Sequence, residues 1–410
     1  MSGRSSLTVD EAKARILAGV SPDRPREMIP LARALGRTLA ADLAAGRTQP
    51  PYPVSAMDGY AVRAADLSSL PARLKQIGES AAGHAFAGKV GPMETARIFT
   101  GARVPDGADA ILIQENARVV DGLIEPLRGV PPGLYVRKAG LDFIEGATLL
   151  KAGTRLGPGA IALAAAMNHA ELLVARRPRV GILATGDELV APGAAVGVDE
   201  IVASNGFTVS ALVEWAGGEP VDFGIVRDDL AATEHAIGVA LDAECDVLVT
   251  SGGASVGDHD LVRPALLKRG MELDFWRILL RPGAPLVHGR LGATAVVGLP
   301  GNPVSATVCA ILFLCPLVRA LSGDPSAAKD SSEAARLGAP VRANDARQDF
   351  MRATLARDGD GMPVATPFDA QDSSLLSVLA RAECLVIRPS HAPAAEARAP
   401  CRILRMPGFS

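Results

Sequence analysis

The chain has 410 residues, 48% hydrophobic and 21% charged, with a formal net charge of −3. That length exceeds one ordinary domain and predicts about two to four, each able to bury a core, which excludes extensive disorder. The near-neutral balance argues against a nucleic-acid footprint, and five scattered cysteines with no CxxC pair exclude a disulfide or zinc framework. They read as reduced thiols of a cytoplasmic protein.

The first twenty residues lack the apolar core of a signal peptide, so no export is expected. Thr8-Val-Asp-Glu11 has the spacing of a helix capping box, with Ile16 and Leu17 on the apolar face. From Pro50 to about Gly140, short β-type runs (96–99, 110–113, 118–120) alternate with Gly, Pro and Asp turns, as in an all-β module. Residues 147–176 read as a return to helix around the run 160–167.

From Pro178 the pattern is strand, loop, helix, repeated. Strands are predicted at 180–184, 220–226, 245–249, 273–279 and 295–298, and helices at 206–215, 230–241, 261–269 and 304–321. Such alternation implies a mostly parallel sheet covered on both faces. The apolar stretch 303–318 is interrupted by Ser305, Thr307 and Pro316 and falls short of a membrane span, so a buried helix is expected. Residues 322–335 read as a linker, and alternating runs (348–355, 384–387) around the turn 358–361 suggest a small C-terminal β-domain. The fold class is α/β plus β-rich modules: a central doubly wound, mostly parallel sheet, an N-terminal helical/β region and a C-terminal β-domain.

Ligands of open α/β sheets bind at the carboxyl ends of the strands. Here those ends deliver Thr185-Gly-Asp-Glu188, Arg227-Asp-Asp229, Ser251-Gly-Gly-Ala-Ser255 followed by Asp258 and Asp260, and Leu299-Pro-Gly-Asn-Pro303. Asn302 can cap the following helix and Pro303 suits its first position, leaving N–H groups for an anion. Each glycine turn alone could be a plain turn, and each acid alone a solvated loop residue. Gathered on one rim, the carboxylates could hold Mg²⁺ against the anion's oxygens. Gly83–Lys89 mimics most of a P-loop, but Val90 replaces the hydroxyl residue and Gly91-Pro92 cannot start a helix. The six histidines show no metal spacing, and Trp215 and Trp276 read as packing residues.

Ser55-Ala-Met-Asp-Gly-Tyr-Ala-Val-Arg63, Thr100-Gly-Ala102, Thr185-Gly-Asp-Glu-Leu189, Ser251-Gly-Gly-Ala-Ser-Val-Gly257 and Gly298-Leu-Pro-Gly-Asn-Pro-Val-Ser305 carry a resemblance. In identity and order they resemble the molybdopterin molybdenumtransferases of the MoeA type, the family that includes the gephyrin E-domain. The resemblance implies Mg²⁺-assisted insertion of molybdate into adenylylated molybdopterin with release of AMP. It implies a homodimer of four-domain subunits whose active site lies between subunits, with domains at 1–50 plus 141–177, 51–140, 178–322 and 336–410. Expected further partners are the molybdopterin adenylyltransferase and molybdoenzyme delivery proteins, with neither nucleic acid nor membrane. Matched by position, Asp58, Thr100, Asp142, Glu188, Asp228 and Asp260 fall on the family's catalytic residues, the last three of these as Mg²⁺ ligands. Ser251, Gly252, Gly253, Ser255, Pro300, Gly301, Asn302 and Pro303 fall on its substrate loops. Arg277, Arg281, Ser305, Arg352 and Ser373 fall among its anion- and molybdate-contacting groups, with Ser374 adjoining the last.

Three departures stand out. Pro53-Val54 replaces the usual Asp-Asn, Arg277 and Arg281 replace lysines, and Ala284 removes a cation altogether. Arg for Lys keeps the charge but changes donor geometry. Two other readings compete: a molybdopterin adenylyltransferase-like enzyme, which needs little beyond the α/β domain, and a non-catalytic pterin-binding scaffold or divergent paralogue.

Overall fold

The computed structural model describes residues 6–21, 23–252 and 261–408. The chain divides into two compact units, one of Met1–Glu27, Gly36–Ala40 and Val174–Ser410, the other of Met28–Leu35 and Ala41–Leu173.

The second unit is built on a six-stranded sheet in the order Ala110–Ile113, Gly59–Val62, Glu94–Ile98, Leu74–Ser80, Leu123–Pro126, Ala117–Val120. Only the Leu74–Ser80 and Glu94–Ile98 pair is parallel. Val62, Leu74, Leu112 and Ile124 bury one face. A Cβ on Gly59 would lie 2.1 Å from the Leu112 carbonyl oxygen, so only glycine lets these strands approach here. The helix expected across 147–176 is confined to Pro158–Ala166, with strands Thr148–Leu150 and Glu171–Ala175 flanking it. The apolar run sustains the helix, while Thr148–Leu150 is drawn into pairing with Leu43–Ala44. No helix follows residues 83–89, as Gly91-Pro92 predicts.

In the first unit, Thr8 closes a full capping box with Glu11 ahead of the helix Val9–Ala18. The central sheet runs Glu219–Val226, Arg179–Thr185, Val247–Ser251, Thr294–Leu299, Val287–Leu291, Glu272–Phe275. Its first four strands are parallel, and each following neighbour is antiparallel. Alternation along a strand sends Ile182 to one core, with the helices Asn205–Ala216 and Pro303–Cys309, and Leu183 to the other, with Leu230–Asp242 and Val262–Lys268. Two local expectations fail. Residues 273–279 are not one strand: Glu272–Phe275 ends, and Leu280–Arg281 crosses to pair with the C-terminal sheet. The strand Val287–Leu291 was not anticipated; it is a hairpin arm turned at Gly292, whose φ is +59°.

The helix Pro303–Leu321 is the one among the described residues long and apolar enough to span a bilayer, but 78% of its apolar window is buried. Its surface is spent on the core, as expected. A π-turn over Ala310–Leu314 admits Pro316 into the following turn. The presumed linker is ordered from its start, since Asp324 holds Arg319 at 2.8 Å and the next strand begins at Glu333. In the C-terminal sheet, Gln348–Arg357 pairs with both Pro363–Pro367 and Cys384–Arg388. Glu333–Leu337 and Pro400–Arg405 complete the ring, so five strands close into a small barrel around Leu337, Ala353, Val386 and Ile403.

Candidate functional site

Because four neighbouring strands are parallel, their carboxyl ends share one edge, and the loops after Thr185, Val226, Ser251 and Leu299 all emerge there. A cleft of about 610 Å³ opens at that edge. Glu188, Ser251, Gly252, Pro300, Gly301, Asn302, Pro303 and Ser305 line it, as the sequence predicts, together with Thr185, Asn205, Ala284 and Ser374. Glu188 is the only charged side chain among its described lining residues. An anion here therefore meets hydroxyls and backbone dipoles rather than ammonium or guanidinium groups.

At the end of the strand Val247–Ser251, Gly252 has a φ of +93°. A Cβ there would sit 2.6 Å from the Thr185 carbonyl oxygen and 3.0 Å from the Thr185 hydroxyl. That hydroxyl is buried and without a hydrogen-bond partner among the described residues. A buried polar atom calls for a partner, and at the wall of a cleft a water, an ion or a ligand can supply one. Gly253, Ser255, Asp258 and Asp260 lie outside the described residues.

Glu188 and Asp228 stand on loops of neighbouring strands, both exposed, and Asp228 donates its backbone N–H to Asp187. No group of three potential ligands converges among the described residues, so the described part of the expected Mg²⁺ set is Glu188 and Asp228. The carboxylate oxygens of Glu188 and Asp228 are the hard donors such a cation takes.

Two roles are corrected. Asn302 does not cap its helix; its Nδ2 donates instead to the Ser373 hydroxyl at 3.0 Å, while the Val304 N–H is taken by the Ser373 carbonyl. Pro303 does open the helix. The Ser373 segment thus closes the helix end, and Ser374 is the serine that faces the cleft. Arg281 is not a free cation. Asp349 at 2.8 Å, Asp345 at 3.3 Å and Asn344 at 2.8 Å surround its guanidinium. The strand pairing of Leu280–Arg281 with Gln348 and Asp349 puts it beside those acids, which local sequence could not foretell. Arg277, by contrast, is exposed and lies 4.3 Å over the Trp276 ring, with Arg263 over the same ring at 4.9 Å.

Arg352 is buried to 1% exposure. Its Nη2 donates to the Asp372 carbonyl at 3.0 Å, and its Nε has no partner among the described residues. Burial pushes its pKa down from the usual guanidinium value. Gln371 accepts from the Arg352 amide and donates back to its carbonyl, so Arg352 fastens the segment that carries Ser373 and Ser374.

In the second unit the structure joins Asp58 and Thr100. One carboxylate oxygen of Asp58 accepts from the Thr100 amide at 2.7 Å and from its hydroxyl at 2.8 Å. Those bonds, the backbone one foremost, hold the Asp58 carboxyl below the usual carboxylate range. The bond is thus fully present above the unfolded value near 3.8 and is lost as pH falls through the lowered folded value. Hydrogen exchange should show the Thr100 amide protected at pH 7, and Asp58→Ala should remove that protection without altering the Leu112 amide. Asp142 is exposed in a turn held by Gln49, with no bond to this pair.

Asn205 was missed. Its Nδ2 donates to the Ser251 hydroxyl at 2.8 Å and to the Gly301 carbonyl at 2.7 Å. A polar residue opening a helix at the sheet's carboxyl edge was the available signal.

An open α/β sheet with a polar cleft at its carboxyl edge and a C-terminal barrel, in a chain with a separate β-rich unit, has the architecture of a multidomain ligand-binding protein. Comparison with known proteins supplies the particular class. The "MoeA N-terminal region (domain I and II)" pattern matches residues 7–168, "Probable molybdopterin binding domain" 181–320 and "MoeA C-terminal region (domain IV)" 334–397. A molybdopterin molybdenumtransferase of Haemophilus influenzae is 34% identical, covering 93% of this chain and 94% of its own length. That of Bacillus subtilis is 32% identical over 94% and 91%. A crystal structure of a molybdopterin biosynthesis MoeA protein from Pyrococcus horikoshii superposes with a TM-score of 0.82 at 30% identity, covering 98% of this chain and 99% of that one. The chain belongs to the molybdopterin molybdenumtransferase family, transferases of molybdenum cofactor biosynthesis.

Proposed function

We propose that the cleft takes adenylylated molybdopterin and that the enzyme inserts molybdate into the dithiolene with release of AMP. The observation that carries this reading is a cleft of hydroxyl and backbone donors with a single carboxylate, Glu188, in its described lining. Such a wall accepts a phosphoanhydride only with a cation to offset the acid, and Glu188, Asp228 and Asp260 are the groups that would hold Mg²⁺. When bound, Mg²⁺ neutralises charge on the phosphates and on the departing AMP. The protein's own share is placement: Gly252 and Gly301 let the phosphates approach the backbone, and Ser251 and Thr185 offer hydroxyls. Arg352 and the 371–374 segment it fastens are assigned to molybdate, with Ser305.

Asp58, Thr100 and Asp142 are assigned to the same reaction, reaching the cleft of a second subunit in a homodimer. The adenylyltransferase that makes the substrate and the proteins that take the product to molybdoenzymes are the natural partners, in the cytoplasm. Incubating the protein with adenylylated molybdopterin and Mg²⁺ and then adding molybdate should release AMP, and no molybdate-dependent release would sink the reading. Consumption of ATP with bare molybdopterin would instead support the adenylyltransferase reading. Asp260→Asn should slow AMP release at least tenfold, about 1.4 kcal/mol of barrier.

A further inference from the structure

The Asn205 amide does more than tie two loops together. The Gly301 carbonyl can only accept, so the atom that meets it at 2.7 Å is the amide nitrogen, and the same nitrogen faces Ser251 Oγ at 2.8 Å. Both amide hydrogens are therefore spent, one on each loop. Ser251 is buried to 3% exposure, and its hydroxyl receives one of them. A hydroxyl that accepts from an amide keeps its own proton to give, and no described residue takes it. Ser251 lines the cleft, as do Asn205 and Gly301. A second buried hydroxyl of the cleft lining, Thr185 Oγ1, has no partner among the described residues.

From this arrangement we infer that Asn205 is a positioning residue that sets the polarity of Ser251, making it an O–H donor aimed at an anionic oxygen of the substrate. The inference rests on the reading of the cleft as a site for a phosphate-bearing pterin and adds the group that orients its donor. Neither loop motif contains Asn205, and its two partners lie 46 and 96 residues away in sequence.

The test exchanges the amide for its isostere. In Asn205→Asp the carboxylate accepts the Ser251 proton, reversing that hydrogen bond, and faces the Gly301 carbonyl with no donor. At neutral pH the KM for adenylylated molybdopterin should rise about ten- to a hundredfold, the worth of a hydrogen bond to a charged group, with kcat changed less. The ratio of variant to wild-type KM should shrink as pH is lowered and the new carboxyl protonates, because it regains a donor. Ser251→Ala should show a loss of similar size without the pH dependence. The double variant should lose less than the product of the two single losses, since both changes remove the same Ser251 donor. A wild-type KM in Asn205→Asp, a pH-independent loss, or losses that multiply in the double variant would each overturn the inference while leaving the functional reading intact. A wild-type protein that neither releases AMP nor binds it in calorimetry overturns both.

Discussion

Arg352→Met is expected to cut molybdate-dependent AMP release about a hundredfold at limiting molybdate, with the folded protein no less stable in urea. The two halves of this expectation have separate causes. Arg352 is a buried cation whose Nε is unpartnered, and whose one side-chain bond is to the Asp372 carbonyl, among the described residues. Charge-assisted hydrogen bonds contribute about 1.5–3 kcal/mol, which spans a tenfold to roughly hundredfold effect on an oxyanion. Replacing a buried charge by an apolar side chain of similar length is often neutral or stabilising, because desolvation is relieved. Arg352→Lys should recover only part of the loss, since an ammonium cannot reproduce the guanidinium fork. Titrating molybdate at saturating pterin adenylate separates this from a loop effect. If Arg352 only fastens the 371–374 segment, KM for the pterin moves as well and KM for molybdate does not move alone. Arg281→Met, whose charge is already met by Asp345 and Asp349, should disturb the barrel contact more than it disturbs molybdate affinity.

Gly252→Ala should abolish useful turnover and destabilise the α/β unit. Alanine at a φ of +93° costs about 1–2 kcal/mol of backbone strain. Its Cβ would also stand 2.6 Å from a carbonyl oxygen in the neighbouring strand end, which cannot rotate away as a side chain could. The turn must therefore move, and it carries Ser251, Asn205's partner, with it. A shift of about 1 Å in a positioning group can cost a hundredfold in rate. The measurement is kcat/KM for AMP release beside the urea midpoint. A variant with normal kcat/KM would show that the glycine turn does not shape the substrate's seat.

Much of the site was legible before any tertiary structure. Gly252, Gly301, Pro303 and Glu188 line the cleft as expected, because glycine turns and a helix-opening proline are local statements about backbone geometry. The parallel rim was legible too, since strand and helix periods alternate from Pro178 onward. The capping box at Thr8 and Glu11 needed only a four-residue window. What failed was side-chain partnership. Asn302 looked like a cap and turned to Ser373, and Arg281 looked like an anion's cation and met Asp349 and Asp345.

The sequence by itself thus determined the layered α/β unit, the β-rich modules and the loops that form the carboxyl rim. These follow from hydrophobic period and from the φ restrictions of glycine and proline, which act over a few residues. Only the tertiary structure decided that five C-terminal strands close into a barrel, that Leu280–Arg281 leaves one sheet for another, and that Asn205 bridges Ser251 and Gly301. Each of those depends on which distant segments pack together, and burial then assigns every polar group the nearest partner the fold supplies.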